Sequence, residues 1–399
     1  MRWTRERWGP ANLSPLTVLL FHFVAGQNRR AVKLPGFHLV ALAGIILALS
    51  GCVTARRTEI RHTGFIGLTN FSDFSRTQAT TNGDLVLTSP EIQAPVNWDE
   101  LVVSWNVAAG VSLKMEARGI YPDHATEFRT LGFWTANPGR HLRKSVAGQQ
   151  DVDGTVKTDT LVMSRRGGKV QLRLTMGGTG NGTNRLKFVG LCFSDGRFAT
   201  GNKPNKAAWG RVLDVPERRQ GEYPGGGGWC SPVSLSMVLA YWGQKLQRPE
   251  LDCPVPEVAN DVFDAAYRGT GNWSFNVAYA GGIPGMRAYV ARLNDLSEVE
   301  DWIAAGVPVV LSTSSYLARD PSTGPDNGHL IVCAGFTETG DVVANDPGVS
   351  VKRGERARRV FARDKVIAAW KKSRNTAYLV YPEGNEIPGS GAGDWERKE

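Results

Sequence analysis

Along the first half of the chain apolar and polar positions alternate with a period of two. Leu113, Met115 and Ala117 alternate with Lys114, Glu116 and Arg118; Val170, Leu172, Leu174 and Met176 alternate with Lys169, Gln171, Arg173 and Thr175. Alternation of this kind sends successive side chains to opposite faces of a strand, and Gly/Asn clusters such as residues 177–182 mark where runs end. Residues 64–203 are therefore predicted to form an antiparallel sheet with one wet face, a β-sandwich or jelly roll. After a linker at 204–214 the pattern changes to α+β over residues 215–385. Helices are predicted from a Ser231 N-cap with Pro232 in the first turn to a stop at Gly243, over 256–267, after the Ser297 to Glu300 capping box, and near 363–372. Strands are predicted at 307–313, 328–336, 341–347 and 377–381, and the tail at 386–399 is expected to be disordered.

Residues 39–50 form an uncharged apolar run preceded by Arg29, Arg30 and Lys33. The run is short for a membrane span and suits the core of a secretory signal. It ends in Leu49-Ser50-Gly51-Cys52, which resembles the bacterial lipobox. Residues 1–51 are thus expected to be a signal peptide, Cys52 a lipidated residue that anchors the chain to the membrane, and residues 52–63 a polar tether. The expected location is the bacterial cell envelope, extracytoplasmic and lipid-anchored. Residues 2–23 look unlike a targeting signal, so translation is expected to begin downstream, near Val24 or Val32.

The 41% hydrophobic content of 399 residues suffices for sizeable cores. The net charge of +9 shrinks once the six basic residues and one acidic residue of positions 1–51 are set aside, leaving 41 against 37. That balance makes no case for a nucleic-acid partner. A basic cluster from Lys352 to Arg374 reads as a solvated face before it reads as a surface for anionic polymers. Cys192, Cys230, Cys253 and Cys333 include no C-x-x-C pair and no cysteine–histidine spacing suited to zinc, and no phosphate-binding loop occurs, so neither metal nor cofactor is predicted. Cys192 and Cys333 lie in apolar strand patterns and read as buried thiols, whereas Cys253 could enter a disulfide. Asp151 to Gly154 is expected as a hairpin turn, not a calcium loop, and aromatic residues such as Trp134 could line a glycan-binding surface of the sheet domain.

The chemistry concentrates at Gly225-Gly226-Gly227-Gly228-Trp229-Cys230-Ser231-Pro232. A glycine-rich loop there delivers a cysteine to the start of an apolar helix, where the helix dipole favours thiolate over thiol. A nucleophilic thiolate needs a base, and the base an orienting group. His329 is the one histidine of the domain that holds Cys230. A hairpin turning near 338 and 339 sets residue 329 across from 346–348, so His329 and Asp346 should meet while Asn345 points to the other face. An oxyanion could be held by the Cys230 N–H and by Gln220, reaching back across the glycine-rich loop.

Taken together, Gln220, Tyr223 to Pro232, Met237 to Trp242, Tyr267 to Trp273, Asn327-Gly328-His329 and Asn345-Asp346-Pro347 resemble the stand-alone bacterial C39-like cysteine peptidases, a papain-like group. The resemblance covers about residues 215–382. It implies Cys230 as nucleophile, His329 as general base and acid, Asp346 as orienter and Gln220 as oxyanion donor, acting on a peptide or protein substrate. The chain departs from the papain-like pattern where the glutamine usually stands about six residues before the cysteine; Pro224 occupies that place. Two other readings remain open on sequence: an envelope transpeptidase or acyltransferase with the same residues, and a surface binding protein whose sheet domain takes a glycan or protein ligand beside an inert peptidase domain.

Overall fold

A computed structural model describes residues 62–78, 84–135, 142–177, 185–198 and 203–388. The expected signal, the lipobox with Cys52, the tether up to residue 61 and residues 389–399 of the tail lie outside the described residues. Among the described residues no helix is long and apolar enough to cross a membrane.

Nine strands make up the N-terminal part: β1 (Thr63–Leu68), β2 (Ser75–Gln78), β3 (Leu85–Thr88), β4 (Ile92–Val107), β5 (Ser112–Ile120), β6 (Arg129–Thr135), β7 (Gly154–Lys157), β8 (Thr160–Gly177) and β9 (Leu186–Ser194). All pair antiparallel, in the order β1-β9-β4-β8-β3-β2, with β5 and β7 also on β8 and β6 on β5. The long strands β4 and β8 shift register at Trp98, a bulge that bends a sheet. The alternation read from sequence is present, with one exception. Glu116 is buried, because Arg173 clasps both its oxygens at 2.8 and 3.0 Å and Lys114 lies at 2.8 Å. Asp151 to Gly154 forms the expected turn: Asp151 Oδ1 accepts from the N–H groups of Asp153 and Gly154 as the chain enters β7. Trp134 belongs to the core. It is 4% exposed, packed on Phe275 with Arg143 over its ring.

The C-terminal part is a six-stranded antiparallel sheet built from β10 (Met286–Arg292), β11 (Val309–Thr313), β12 (His329–Phe336), β13 (Val342–Asn345), β14 (Arg358–Phe361) and β15 (Thr376–Pro382), ordered β10-β15-β11-β12-β13-β14. Five helices accompany it: α1 (Cys230–Leu246), α2 (Val255–Asp261), α3 (Trp273–Gly282), α4 (Leu296–Ala304) and α5 (Arg363–Trp370). Helix α1 is buried from Ser231 to Gly243, apolar all round as a central helix must be. It docks on the sheet through Ser234 Oγ to the Leu330 carbonyl and Trp242 Nε1 to the Val380 carbonyl.

Three helices have boundaries that differ from the reading above. Helix α1 begins at Cys230 itself, and Ser231 caps nothing; its buried hydroxyl pairs with Tyr378 OH at 3.0 Å. It also runs past Gly243, which is kept small by the Arg248 carbonyl 3.0 Å from where a β-carbon would sit. In α4 the cap is Asp295, accepting from Ser297 N–H, while Glu300 is drawn inward to Trp209 Nε1 and Arg363 Nη1. Helix α3 was not anticipated, and α2 stops at Asp261. Segment 204–214 is built into the C-terminal sheet: Leu213 N–H binds the Ala334 carbonyl and Phe336 N–H the Arg211 carbonyl. The described residues form one compact unit, and α3 contributes Phe275 and Ala278 to the core of the N-terminal sheet but Val277 and Ala280 to that of the C-terminal sheet.

Candidate active site

Cys230 reaches the first position of α1 through a series of tight turns. The Tyr223 N–H binds the Gln220 carbonyl, Gly226 N–H the Tyr223 carbonyl, and Trp229 N–H the Gly226 carbonyl. Gly226 is required here, since a β-carbon would fall 2.0 Å from the Gln220 carbonyl oxygen. As the first helical residue, Cys230 carries an N–H that no helix carbonyl can accept. Its thiol is coupled electrostatically to the His329 side chain and to the backbone at Leu330 and Ser231.

His329 opens β12, paired with Thr313 on β11. The turn before it is fixed by Asp326, whose carboxylate accepts from Ser314 Oγ at 2.6 Å, Ser315 N–H at 2.8 Å and Gly328 N–H at 3.1 Å. The β12–β13 hairpin turns at 337–341 as predicted, with a register shift between Cys333 and Gly335. It brings His329 Nε2 to 2.7 Å from Asp346 Oδ1, which leaves Nδ1 for the thiol. Asp346 is 1% exposed, accepts from Gly348 N–H at 2.8 Å, and meets Arg359 Nη1 at 3.3 Å. Asn345 turns away, as expected. Its amide ties β13 to the Val215 and Pro216 carbonyls, and its oxygen accepts from Arg358.

Electrostatics couple the three groups. Burial opposes charge on Cys230, but the hydrogen bond and charge of His329 outweigh it and hold the thiol below its ordinary value. Burial likewise opposes charge on His329, yet Asp346 and Cys230 together raise the imidazole to about 10. On Asp346 the imidazolium overcomes burial and keeps the carboxyl below the usual range. The arrangement favours a thiolate–imidazolium pair with a carboxylate behind it.

Gln220 lies beside this line. Its N–H binds the Pro347 carbonyl at 2.9 Å, one residue from Asp346, and its side-chain oxygen is buried with no hydrogen-bond partner among the described residues. Sequence reading missed Gly348, Arg359 and Asp326. A β-carbon at 348 would come within 2.9 Å of His329 Cε1 and 3.2 Å of Asp346 Oδ1. Arg359 sits in the basic cluster, which the fold disperses into ion pairs: Arg356 to Glu217, Arg359 to Asp346, Arg363 to Glu300, Arg374 to Asp99. Cys253 is a free thiol, next to the Tyr279 hydroxyl, and Cys192 and Cys333 are free and buried.

Among solved structures, one from Bacillus anthracis named as a C39-like peptidase is 19% identical, covering 43% of this chain and 98% of that chain with a TM-score of 0.33. The structure of infectious bursal disease virus Gx strain is 12% identical, covering 36% of this chain and 35% of that chain with a TM-score of 0.18. Likenesses that distant carry no argument. None of the curated proteins matches the chain. Residues 212–378, however, match the Peptidase_C39 like family, and residues 49–194 match the Peptidase C39 N-terminal domain. Those two matches support a cysteine-peptidase type of function, and by them the chain belongs to the C39-like peptidase family.

Proposed function

We propose that the protein is a lipid-anchored, extracytoplasmic cysteine peptidase that cleaves peptide bonds in the cell envelope. The observation that carries this reading is the 2.7 Å hydrogen bond from His329 to Asp346, with the Cys230 thiol coupled to the same imidazole. In it the Cys230 thiolate attacks the scissile carbonyl carbon and the carbonyl electron pair moves to oxygen. His329 then gives its proton to the leaving amine as the C–N bond breaks, and a thioester remains. Water, deprotonated by His329, attacks the thioester and releases the acid, returning thiolate and imidazolium. Asp346 orients the imidazole and stabilises its charge.

The oxyanion is received by the Cys230 N–H, free at the helix start, and by the NH₂ of the Gln220 side-chain amide, whose oxygen is buried without a hydrogen-bond partner among the described residues. Anchoring rests on the lipobox sequence ending in Cys52. Treatment with iodoacetamide at neutral pH is expected to label Cys230 ahead of the other thiols, and Cys230→Ala to abolish hydrolysis of a peptide library while the melting temperature hardly moves. Hydrolysis that survives the substitution would reject the reading. Cys52→Ala, expressed in the bacterial host, is expected to move the protein from the detergent phase to the aqueous phase.

A further inference from the structure

The N-terminal sheet domain reaches the reactive helix through one segment, residues 264–273. Its start is pinned at Asp264, a buried carboxylate whose Oδ1 accepts from the N–H groups of Ser145 at 3.0 Å, Ala266 at 3.0 Å and Tyr267 at 3.1 Å. The Ala265 N–H adds a bond to the Arg143 carbonyl. The segment's end is pinned at Asp159, on the turn into β8, whose Oδ2 accepts from Trp273 N–H at 2.5 Å. Ser145, Arg143 and Asp159 all belong to the sheet domain, so both ends of the segment hang from it.

Between these ends the segment turns toward the nucleophile. Thr270 Oγ1 donates to the Gly228 carbonyl at 3.2 Å, two residues before Cys230. Asn272 braces the same stretch, donating to Asp264 Oδ2 and accepting from Phe275 N–H. Tyr267 is the large apolar ring this frame presents outward, 52% exposed between the exposed Ala266 and Arg268. The Tyr267 ring lies flat on backbone that has no side chains, since a β-carbon at 269 would come within 2.9 Å of it. The Tyr378 hydroxyl, hydrogen-bonded to Ser231, lies within electrostatic reach of Tyr267, Cys230 and Asp159 alike.

Resting on the peptidase reading above, we propose that Tyr267 is a specificity-determining wall of the peptide cleft, taking an apolar substrate side chain next to the scissile bond. In this arrangement Asp159 is a positioning residue that fixes that wall from the N-terminal domain. The sheet domain then takes part in choosing substrate through its hold on residues 264–273. A half-exposed aromatic ring held by hydrogen bonds at both ends of its loop gives contact area at little cost in lost freedom.

The test compares two reagents on the full chain: iodoacetamide, which needs only the thiolate, and a peptidyl vinyl sulfone with leucine beside the warhead, which must also fill the cleft. Tyr267→Ala and Asp159→Ala are expected to slow the leucyl probe about tenfold and iodoacetamide less than about twofold. Asp159→Asn keeps an oxygen acceptor for the Trp273 N–H and is expected to restore the leucyl rate. A probe with glycine in place of leucine should be nearly indifferent to all three. If Asp159→Ala does not fold, the surface change Tyr267→Ala decides alone. The proposal is overturned if Tyr267→Ala leaves the leucyl rate unchanged, or if Asp159→Ala slows both reagents equally. Failure of iodoacetamide to label Cys230 in the parent chain would overturn the peptidase reading first, and this proposal with it.

Discussion

The hairpin of β12 and β13 has a buried carboxylate against each of its ends, and the two ends behave oppositely. At the open end Asp346 meets Arg359 at 3.3 Å; at the turn end Glu300, fully buried on α4, meets Arg363 at 2.6 Å and accepts from Trp209 Nε1 at 2.7 Å. Each end also has a cysteine. The Cys230 thiol is drawn down, whereas burial pushes the Cys333 thiol up to about 12. Carboxylate and arginine are common to both, so neither makes a thiol reactive. What differs is a histidine standing between carboxylate and sulfur, able to carry a proton and then release it.

The largest effect should come from deleting one thiol or the other. Cys230→Ala is expected to lower kcat/KM by about 10⁴-fold or more with little change in Tm, whereas Cys333→Ala should leave kcat/KM intact and cost about 1–2 kcal/mol in a denaturant titration. Asp346→Asn, which removes the charge but keeps the size, is expected to lower kcat about 10²–10⁴-fold and to shift the acid midpoint of Cys230 alkylation upward.

The pH dependence separates the ends further. Because the Cys230 thiol is held below its ordinary value, iodoacetamide should label it at neutral pH while Cys333 stays unlabelled in the folded chain. His329 is raised from 6.5 to about 10, so the stability its charge contributes is complete below its ordinary value and is lost as pH rises through about 10. Turnover should fall over the same upper range, because the leaving amine then lacks its proton donor. Gly348→Ala, forcing the His329 ring to shift, is expected to reduce kcat about tenfold without altering Tm by more than a few degrees. The smallest effect on catalysis is expected at the turn end, where Glu300→Gln should cost about 1–3 kcal/mol of stability and leave kcat within about twofold.

The open end of the hairpin was legible because strand pairing is arithmetic: a turn centred near 339 fixes what faces residue 329, and the register shift at Cys333 moves that partner by one place only. The partners that complete the site were not legible, since they come from outside the hairpin. Arg359 reaches Asp346 from β14 and gave no sign of itself among nine other basic residues. Ser231 looked like a cap because serine so often is one, but a tyrosine almost 150 residues later uses its hydroxyl. Helix α3 escaped notice for a related reason. A helix buried on two sides has no polar stripe, so its apolar residues show no useful period. The alternating strands of the N-terminal domain were plain, apart from Glu116, whose burial depends on Arg173 across the sheet.

That same helix α3 sets the unit in which this protein unfolds. Phe275 packs against Trp105 and Trp134 while Val277 and Ala280 face the peptidase core, and Gly281 allows Asn106 to approach. Neither core is closed without it. Melting should therefore appear as a single calorimetric transition shared by both sheets, and a fragment cut at residue 215 would carry a helix with one apolar face stripped to water.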